Sequence, residues 1–163
     1  PTTRLCLEAL EGEAAAHAAG LAGLRVADLG CGSGVLGLAA LRLGAEAVVA
    51  ADSDSLAVRA TADNADLNGL VERFTLVQGS ADRPPRAHPS RSADLVLCNK
   101  LGPVIQAQAP SIAAQLAPEG VGLLSGLLVN QAPALERVLG AEGWRAELVA
   151  SQDRWGLMTI RRP

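Results

Sequence analysis

Short apolar runs recur along the chain, separated by longer stretches in which apolar residues return with the period of a helix. Five of these runs have the length of a strand: residues 24–28, 47–51, 74–77, 95–98 and 121–124. The second run is almost wholly apolar and stops at Asp52. Such a run is typical of a parallel strand that is covered on both faces. The pattern therefore predicts a buried, largely parallel sheet.

The stretches between the runs predict amphipathic helices. They cover residues 2–20, 35–43, 56–67, 104–116 and 133–139. Thr2 or Thr3 is expected to cap the first helix through its hydroxyl group, and Gly44 and Gly69 are expected to end the second and third. Strands that alternate with helices in this way are typical of an α/β fold.

The end of the chain has a different pattern. Residues 144–150 and 155–160 resemble two further strands, and only residues 151–154 connect them. A parallel crossover needs about a dozen residues, so these two strands are expected to pair antiparallel. The sequence thus predicts a three-layer α/β fold: a doubly wound, mostly parallel sheet of seven strands with a C-terminal antiparallel hairpin. We expect residues 1–163 to form one domain.

Composition excludes several classes of protein. The chain has 163 residues, of which 49% are hydrophobic and 19% are charged, and this is enough for a packed core. No apolar run reaches the roughly 20 residues that a membrane-spanning helix needs. A net charge of -3 and an aromatic content of 2% argue against direct binding to nucleic acid.

The cysteine count bears on metals and on the compartment. Three cysteines and two histidines, widely spaced, form neither a zinc motif nor a disulfide framework. No metal is therefore predicted, and a reducing cytoplasm is the expected location. One basic segment contains Arg83, Arg86, His88 and Arg91. It is interpreted either as a solvated connector or as a contact for RNA or an acidic partner.

The sharpest motif is Asp-Leu-Gly-Cys-Gly-Ser-Gly at residues 28–34, between the first strand and the second helix. Gly30 and Gly32 let the backbone approach a ligand closely, and the following helix offers free N–H groups. Asp52 stands at the tip of the second strand, where a carboxylate can accept hydrogen bonds from both ribose hydroxyls of an adenosine. Together these features predict a nucleotide-type ligand.

Two ligands fit this motif, and Asp28 helps to distinguish them. Residues 32–37 also satisfy G-x-G-x-x-G, so an NAD-dependent oxidoreductase is one hypothesis. Asp28 would lie close to the anionic pyrophosphate of NAD, whereas it suits the cationic ammonium and sulfonium groups of S-adenosylmethionine. In a second interpretation Asp28 braces the loop through backbone N–H groups, and this too is compatible with S-adenosylmethionine.

Further short motifs are spread over nearly the whole chain. They comprise, in chain order, residues 1–7, 28–34, 52–54, 63–65, 68–69, 99, 125–128 and 155. With these motifs the chain resembles the seven-stranded methyltransferases that use S-adenosylmethionine. Three of these motifs indicate a narrower family: the opening Pro-Thr-Thr, the segment around Asn99 and the Ser-Gly pair at residues 125–126. The narrower family is that of the ribosomal protein lysine methyltransferases that modify large-subunit protein eleven.

The resemblance implies a function and a set of contacts. The function is methyl transfer from S-adenosylmethionine to a protein amine, such as a lysine side chain or the N-terminal amine of a ribosomal protein. The expected partner is then a ribosomal protein. The family's cofactor contacts fall on Thr3, Gly30, Asp52 and Asn99. From the residues alone, Thr3 is only a helix cap. Including the glycine motif, the candidate cofactor-binding residues are Thr3, Asp28, Gly30, Gly32, Asp52 and Asn99.

Asn99 is also the candidate for a catalytic role, as a positioning residue. It follows the fourth strand, at the edge where parallel sheets bind ligands, and its amide can both donate and accept hydrogen bonds. The methionine end of the cofactor and the incoming amine are its two possible partners. The alternative is that Asn99 starts a turn or caps the next helix.

Two departures from the family pattern affect these expectations. The family carries an N-terminal substrate-recruiting domain, and the chain, which starts at Pro1 without Met, is expected to be a fragment or a processed product that lacks it. Lys100 stands where the family usually has an apolar residue, and we expect its side chain to extend to solvent. A methyltransferase-fold binding module without turnover, and a methyltransferase acting on a small molecule or RNA, therefore stay open as alternatives.

Overall fold

A sheet of seven strands runs through the protein in the order β3-β2-β1-β4-β5-β7-β6. The computed structural model describes residues 1–79 and 92–163. The strands are β1 (Arg25–Leu29), β2 (Ala47–Asp52), β3 (Phe74–Gln78), β4 (Ala93–Asn99), β5 (Leu116–Leu128), β6 (Arg145–Gln152) and β7 (Trp155–Arg161). The first five strands pair in parallel, and β7 pairs antiparallel with both β5 and β6.

Helices cover both faces of the sheet. They are α1 (Thr2–Ala16), α2 (Val35–Arg42), α3 (Ser55–Leu67), α4 (Gly102–Ala113) and α5 (Ala132–Ala141). The predicted fold is therefore confirmed, including the seven strands and the antiparallel hairpin at the end. No helix within residues 1–79 and 92–163 is long and apolar enough to span a membrane.

The core lies in two clusters, one on each face of the sheet, because side chains alternate along each strand. In β4, Val96 and Cys98 pack into the cluster beneath α4 and α5. Leu95 and Leu97 point the other way, into the cluster beneath α1 and α2. All four side chains are buried. This two-sided burial explains why the parallel strands are almost continuously apolar.

β7 occupies an interior position although it follows β6 in the chain. It lies between β5 and β6, so the C-terminal hairpin folds back into the sheet rather than extending its edge. Leu157, Met158 and Ile160 of this strand are buried. β7 therefore contributes to both clusters of the core.

The strand order reverses beside β1, and this places the candidate site. β1 has β2 on one side and β4 on the other, and the two neighbours lead away in opposite directions along the sheet. Ligands of open α/β sheets bind outside the carboxyl ends of the strands at such a point. The loop that follows β1 and the turn that follows β4 both lie there.

Several expected boundaries are wrong. α1 begins at Thr2 with Pro1 as its cap residue, and the Pro1 carbonyl accepts the first helical hydrogen bond from the Leu5 N–H at 3.0 Å. There is no side-chain cap, because proline has no side-chain acceptor. The helix ends at Ala16 instead of residue 20. β5 starts at Leu116, a residue that the apolar pattern assigned to α4. The basic segment with Arg83, Arg86, His88 and Arg91 lies outside the described residues.

Candidate functional site

The loop that follows β1, residues 30–34, is held in one shape by its neighbours, and we call it the glycine loop. Gly30 and Gly32 adopt φ of 78° and 56°, values that favour glycine. The Gly30 and Cys31 N–H groups donate to the carbonyl of Ala51 at 2.7 and 3.1 Å. The loop backbone is therefore anchored to the end of β2.

Two residues of α3 hold the other side of the glycine loop, and the sequence analysis assigned no role to either. The buried Thr61 hydroxyl donates to the Gly32 carbonyl at 3.1 Å. The Asn64 amide donates to the Ser33 carbonyl at 2.8 Å. Asn64 belongs to one of the motifs that carried the resemblance, and this was the available signal. Thr61 had none beyond its place on α3.

Asp52 faces the glycine loop from the tip of β2. Its Oδ2 accepts a hydrogen bond from the Gly32 N–H at 3.0 Å, and its Oδ1 accepts one from the Asp54 N–H at 3.0 Å. Asp54 in turn caps α3 by accepting from the Leu56 N–H at 2.8 Å. The Asp52 carboxylate is thus fixed in direction, and each oxygen keeps capacity to accept a further hydrogen bond.

Asp28 lies beneath the loop and is buried, with 1% of its surface exposed. Its Oδ2 accepts a hydrogen bond from the Gly37 N–H, in the first turn of α2, at 3.0 Å. Burial raises the pKa of this carboxyl group to about 7, the Gly37 hydrogen bond opposes the rise, and the charge of Asp52 adds to it. This contact matches the interpretation of Asp28 as a brace. A contact between Asp28 and a cofactor stays a prediction.

Asn99 and Thr3 meet although they are 96 positions apart. The Asn99 amide donates to the Thr3 hydroxyl at 3.3 Å, which joins the end of β4 to the first turn of α1. Both residues are half-buried. The alternative interpretation of Asn99 as the cap of α4 is wrong, because Leu101 occupies the cap position.

A pocket of about 640 Å³ opens beside the carboxyl ends of β4 and β5. Its lining is formed by Pro1, Thr2, Ser53, Asn99, Lys100, Leu101, Val104, Gln108, Gly126 and Trp155. Asn99 is the one predicted cofactor residue in this lining, and Thr2 and Ser53 are neighbours of two others. Leu101 and Val104 are 63% and 38% exposed and give the pocket an apolar mouth.

Lys100 lines this pocket and also lies against the glycine loop. The expectation that its side chain extends to solvent is therefore wrong. Its side chain is half-buried and lies across Gly30. A Cβ atom on Gly30 would overlap Lys100 Cε and stand 3.1 and 3.2 Å from Cγ and Cδ. The Lys100 ammonium donates to Gln108 Oε1 at 3.3 Å.

The backbone around Lys100 explains this direction. The Lys100 N–H donates to the Ser125 carbonyl at 3.1 Å. The neighbouring Gly126 has φ of 89°, and a Cβ atom there would overlap the Lys100 carbonyl group. The Ser-Gly pair of β5 therefore gives the β4–α4 turn the space it needs, and that turn aims Lys100 at the glycine loop.

Sequence comparison places the chain among named proteins. The family model described as "Ribosomal protein L11 methyltransferase (PrmA)" matches residues 1–163. The chain is 61% identical over 163 residues to the ribosomal protein L11 methyltransferase of Parasynechococcus marenigrum (strain WH8102), covering 99% of this chain and 54% of the relative. The chain thus spans about half the length of the curated relatives it matches.

Two of the solved structures with the same fold illustrate the likeness. The ribosomal protein L11 methylase of Lactobacillus delbrueckii subsp. bulgaricus superposes with a TM-score of 0.84 at 30% identity, covering 99% of this chain and 78% of that one. Magnesium protoporphyrin IX methyltransferase from Synechocystis PCC 6803, solved with bound S-adenosylmethionine, gives a TM-score of 0.76 at 17% identity, covering 98% and 79%. At that identity the second likeness concerns the fold alone.

Proposed function

Because the chain belongs to the family of ribosomal protein L11 methyltransferases, we propose that it carries the methyl-transfer part of such an enzyme. It binds S-adenosylmethionine and transfers the methyl group to an amine of a ribosomal protein. One observation carries this proposal: the Asp52 carboxylate is held against the glycine loop by the Gly32 N–H, at the point where the strand order reverses. A ribose bound there can donate its hydroxyl hydrogens to Asp52 and lie close to the backbone of the glycine loop at the same time.

The residues present fit S-adenosylmethionine better than a dinucleotide. A Cβ atom built on Gly32 would meet nothing within 4 Å, so a ligand can approach the loop there. Burial raises the pKa of the Cys31 thiol in the loop, and the charges of Asp28 and Asp52 add to the rise. The Asp52 carboxylate, together with Asp28 in its ionised form, gives the loop negative charge, which favours a cationic ligand without phosphate groups.

Five of the six candidate residues have a direct role in this proposal. Gly30 and Gly32 let the ligand lie close to the backbone, and Asp52 accepts from the ribose hydroxyls. Asn99 and Thr3, which are already hydrogen-bonded to each other, orient the amino-acid end of the cofactor. When bound, the cofactor supplies an activated methyl group, and the chain supplies alignment.

The methyl transfer needs a neutral amine as nucleophile. Its lone pair forms the new N–C bond while the C–S bond breaks, and the amine has given its proton to water beforehand. The described lining of the pocket contains no carboxylate that would act as the base. Asn99, at the pocket wall, is the residue we assign to positioning the amine.

A protein substrate fits the mouth of the pocket. Leu101 and Val104 are exposed apolar residues beside Asn99, and such a rim suits the aliphatic part of a lysine side chain better than a phosphate backbone. The names of the relatives suggest ribosomal protein L11 as this substrate. Cys6, Cys31 and Cys98 are free and buried, which supports a reducing compartment such as the cytoplasm.

The test is a binding titration followed by a transfer assay. Calorimetry should detect binding of S-adenosylmethionine and S-adenosylhomocysteine but not of NAD, and labelled methyl groups should then appear on L11 among purified ribosomal proteins. Binding of NAD alone would overturn the proposal. Binding of S-adenosylmethionine without transfer to any ribosomal protein would instead assign the chain as a methyltransferase-fold binding module.

A further inference from the structure

The position of Lys100 has a consequence for ligands of the glycine loop. The side chain is held at both ends, by the Ser125 carbonyl at its backbone and by Gln108 at its ammonium group. Between these ends, its methylene groups fill the space that a Cβ atom on Gly30 would need. A ligand that uses the close approach permitted at Gly30 must therefore displace Lys100 and break its hydrogen bond to Gln108.

The charge of Lys100 adds a second effect. Among the described residues that line the pocket, Lys100 has the one charged side chain. Its backbone is fixed by Ser125 and Gly126, and in the structure its ammonium group is hydrogen-bonded to Gln108 at the pocket. A positive charge there repels a sulfonium group at short range and leaves a neutral thioether unaffected.

We propose that Lys100 is a specificity-determining residue that competes with the cofactor for the space above Gly30 and disfavours S-adenosylmethionine relative to S-adenosylhomocysteine. This inference rests on the proposed function. Its steric part acts on both ligands equally. Its electrostatic part acts on the donor alone, since the two molecules share their adenosine and amino-acid groups and differ at the methylated sulfur.

Three variants separate the two parts. Lys100→Met keeps a long side chain and removes the charge, Lys100→Ala removes both, and Gln108→Leu releases the ammonium group without removing it. Arg137→Met is the matched control, because Arg137 is exposed on α5 and outside the pocket lining. Dissociation constants for both ligands are measured by calorimetry on the 163-residue chain, and thermal unfolding verifies that each variant is folded.

We expect Lys100→Met to tighten S-adenosylmethionine about tenfold more than S-adenosylhomocysteine at low salt. Lys100→Ala should tighten both ligands further by a common factor. Gln108→Leu should tighten both by the same two- to threefold, because it breaks one weak hydrogen bond. In the unmodified chain, added salt should shift the ratio of the two constants toward that of Lys100→Met.

The proposal and its premise fail in different ways. If the unmodified chain and Lys100→Met bind both ligands with the same ratio of constants, Lys100 has no part in specificity and the proposed function stands. A Lys100→Met variant that loses affinity for S-adenosylmethionine would also overturn the inference, since the ammonium group would then assist binding. If the unmodified chain and every variant bind neither ligand, the proposed function itself is wrong.

Discussion

On the β1–β2 side of the candidate site, side chains are held by backbone groups, whereas on the β4 side they are held by other side chains. Asp28 and Asp52 each accept from a backbone N–H at 3.0 Å. Asn99 and Lys100 rely instead on contacts of 3.3 Å to Thr3 and Gln108. The Gly37 N–H belongs to α2 and the Gly32 N–H to a loop that is itself hydrogen-bonded to β2 and α3, so both move little. Two side chains, by contrast, can separate by changing rotamers. The first side is therefore preformed, and the second can adapt.

This difference matches the two tasks of a methyl-transfer site. The adenosine part of the cofactor is the same before and after the reaction, so a rigid cradle suits it. The sulfur changes its charge when the methyl group leaves, and the acceptor must enter and depart. Predictions that separate a preformed side from an adaptable side therefore test the proposed function as well.

The largest effect is expected for Gly30→Val. A β-branched residue at φ of 78° is strained, and its side chain would overlap Lys100 and fill the path of a ligand. We expect binding of S-adenosylhomocysteine to become undetectable by calorimetry. Gly23→Val is the matched control, because Gly23 also has φ of 78° but nothing lies within 4 Å of its Cβ position. Equal loss of binding in both variants would attribute the effect to backbone strain.

Asp28→Asn should change how stability depends on pH. The folded-state pKa of about 7 lies above the roughly 3.9 of an unfolded aspartate, so the folded chain binds this proton more tightly. Stability contributed by the protonated group is present at low pH and is lost as pH rises to about 7.

The free energy of unfolding of the asparagine variant, relative to that of the unmodified chain, should therefore be roughly 2–3 kcal/mol higher at pH 8 than at pH 5. Urea unfolding at the two pH values measures this difference. A constant difference at both values would mean that Asp28 keeps an ordinary pKa and that the preformed side is not held by a strained carboxyl group.

Asp52→Ala should weaken binding of S-adenosylhomocysteine by about 1.5–3 kcal/mol, because two charge-assisted hydrogen bonds to the ribose are lost. Asp54→Ala serves as the control. It removes the cap of α3, costs about 1 kcal/mol of folding stability and leaves the ribose acceptor in place. An unchanged dissociation constant in Asp52→Ala would place the ribose elsewhere.

The smallest effect is expected at Thr3, on the adaptable side. Thr3→Val removes the hydroxyl group that accepts from Asn99 and should weaken binding of the cofactor by about 0.5–1 kcal/mol. Thr3→Ser keeps the hydroxyl and should restore affinity. If Thr3→Val binds as weakly as Asp52→Ala, the two sides of the site are equally rigid and the comparison fails.

The parts of the fold that could be predicted are those coded locally. The apolar runs identified the strands, and the short connection at residues 151–154 identified the hairpin. The boundary between α4 and β5 was misplaced because Leu116 suits either element, and Pro118 and Gly120 interrupt the apolar pattern of a strand that continues through them. At the start, the sequence could not show that Pro1 would replace a threonine cap.

The candidate site divides in the same way. The glycine loop and Asp52 could be located because their signal is local: a glycine-rich turn after one apolar strand and an aspartate at the end of the next. The direction of Lys100 depends on Ser125 and Gly126, which become its neighbours only through the register of β4 and β5. The pairing of Asn99 with Thr3 joins opposite parts of the chain, and only the resemblance brought both residues into one list.

The interior position of β7 also determines when this fold can form during synthesis. β7 pairs with β5 on one side and β6 on the other, and its buried residues belong to both core clusters. Until Arg161 has left the ribosome, the nascent chain exposes one edge of β5 and an incomplete core. Such a topology folds late and is open to strand pairing with other chains. Shielding of this β5 edge by a chaperone would therefore matter most in the interval before β7 has been synthesised.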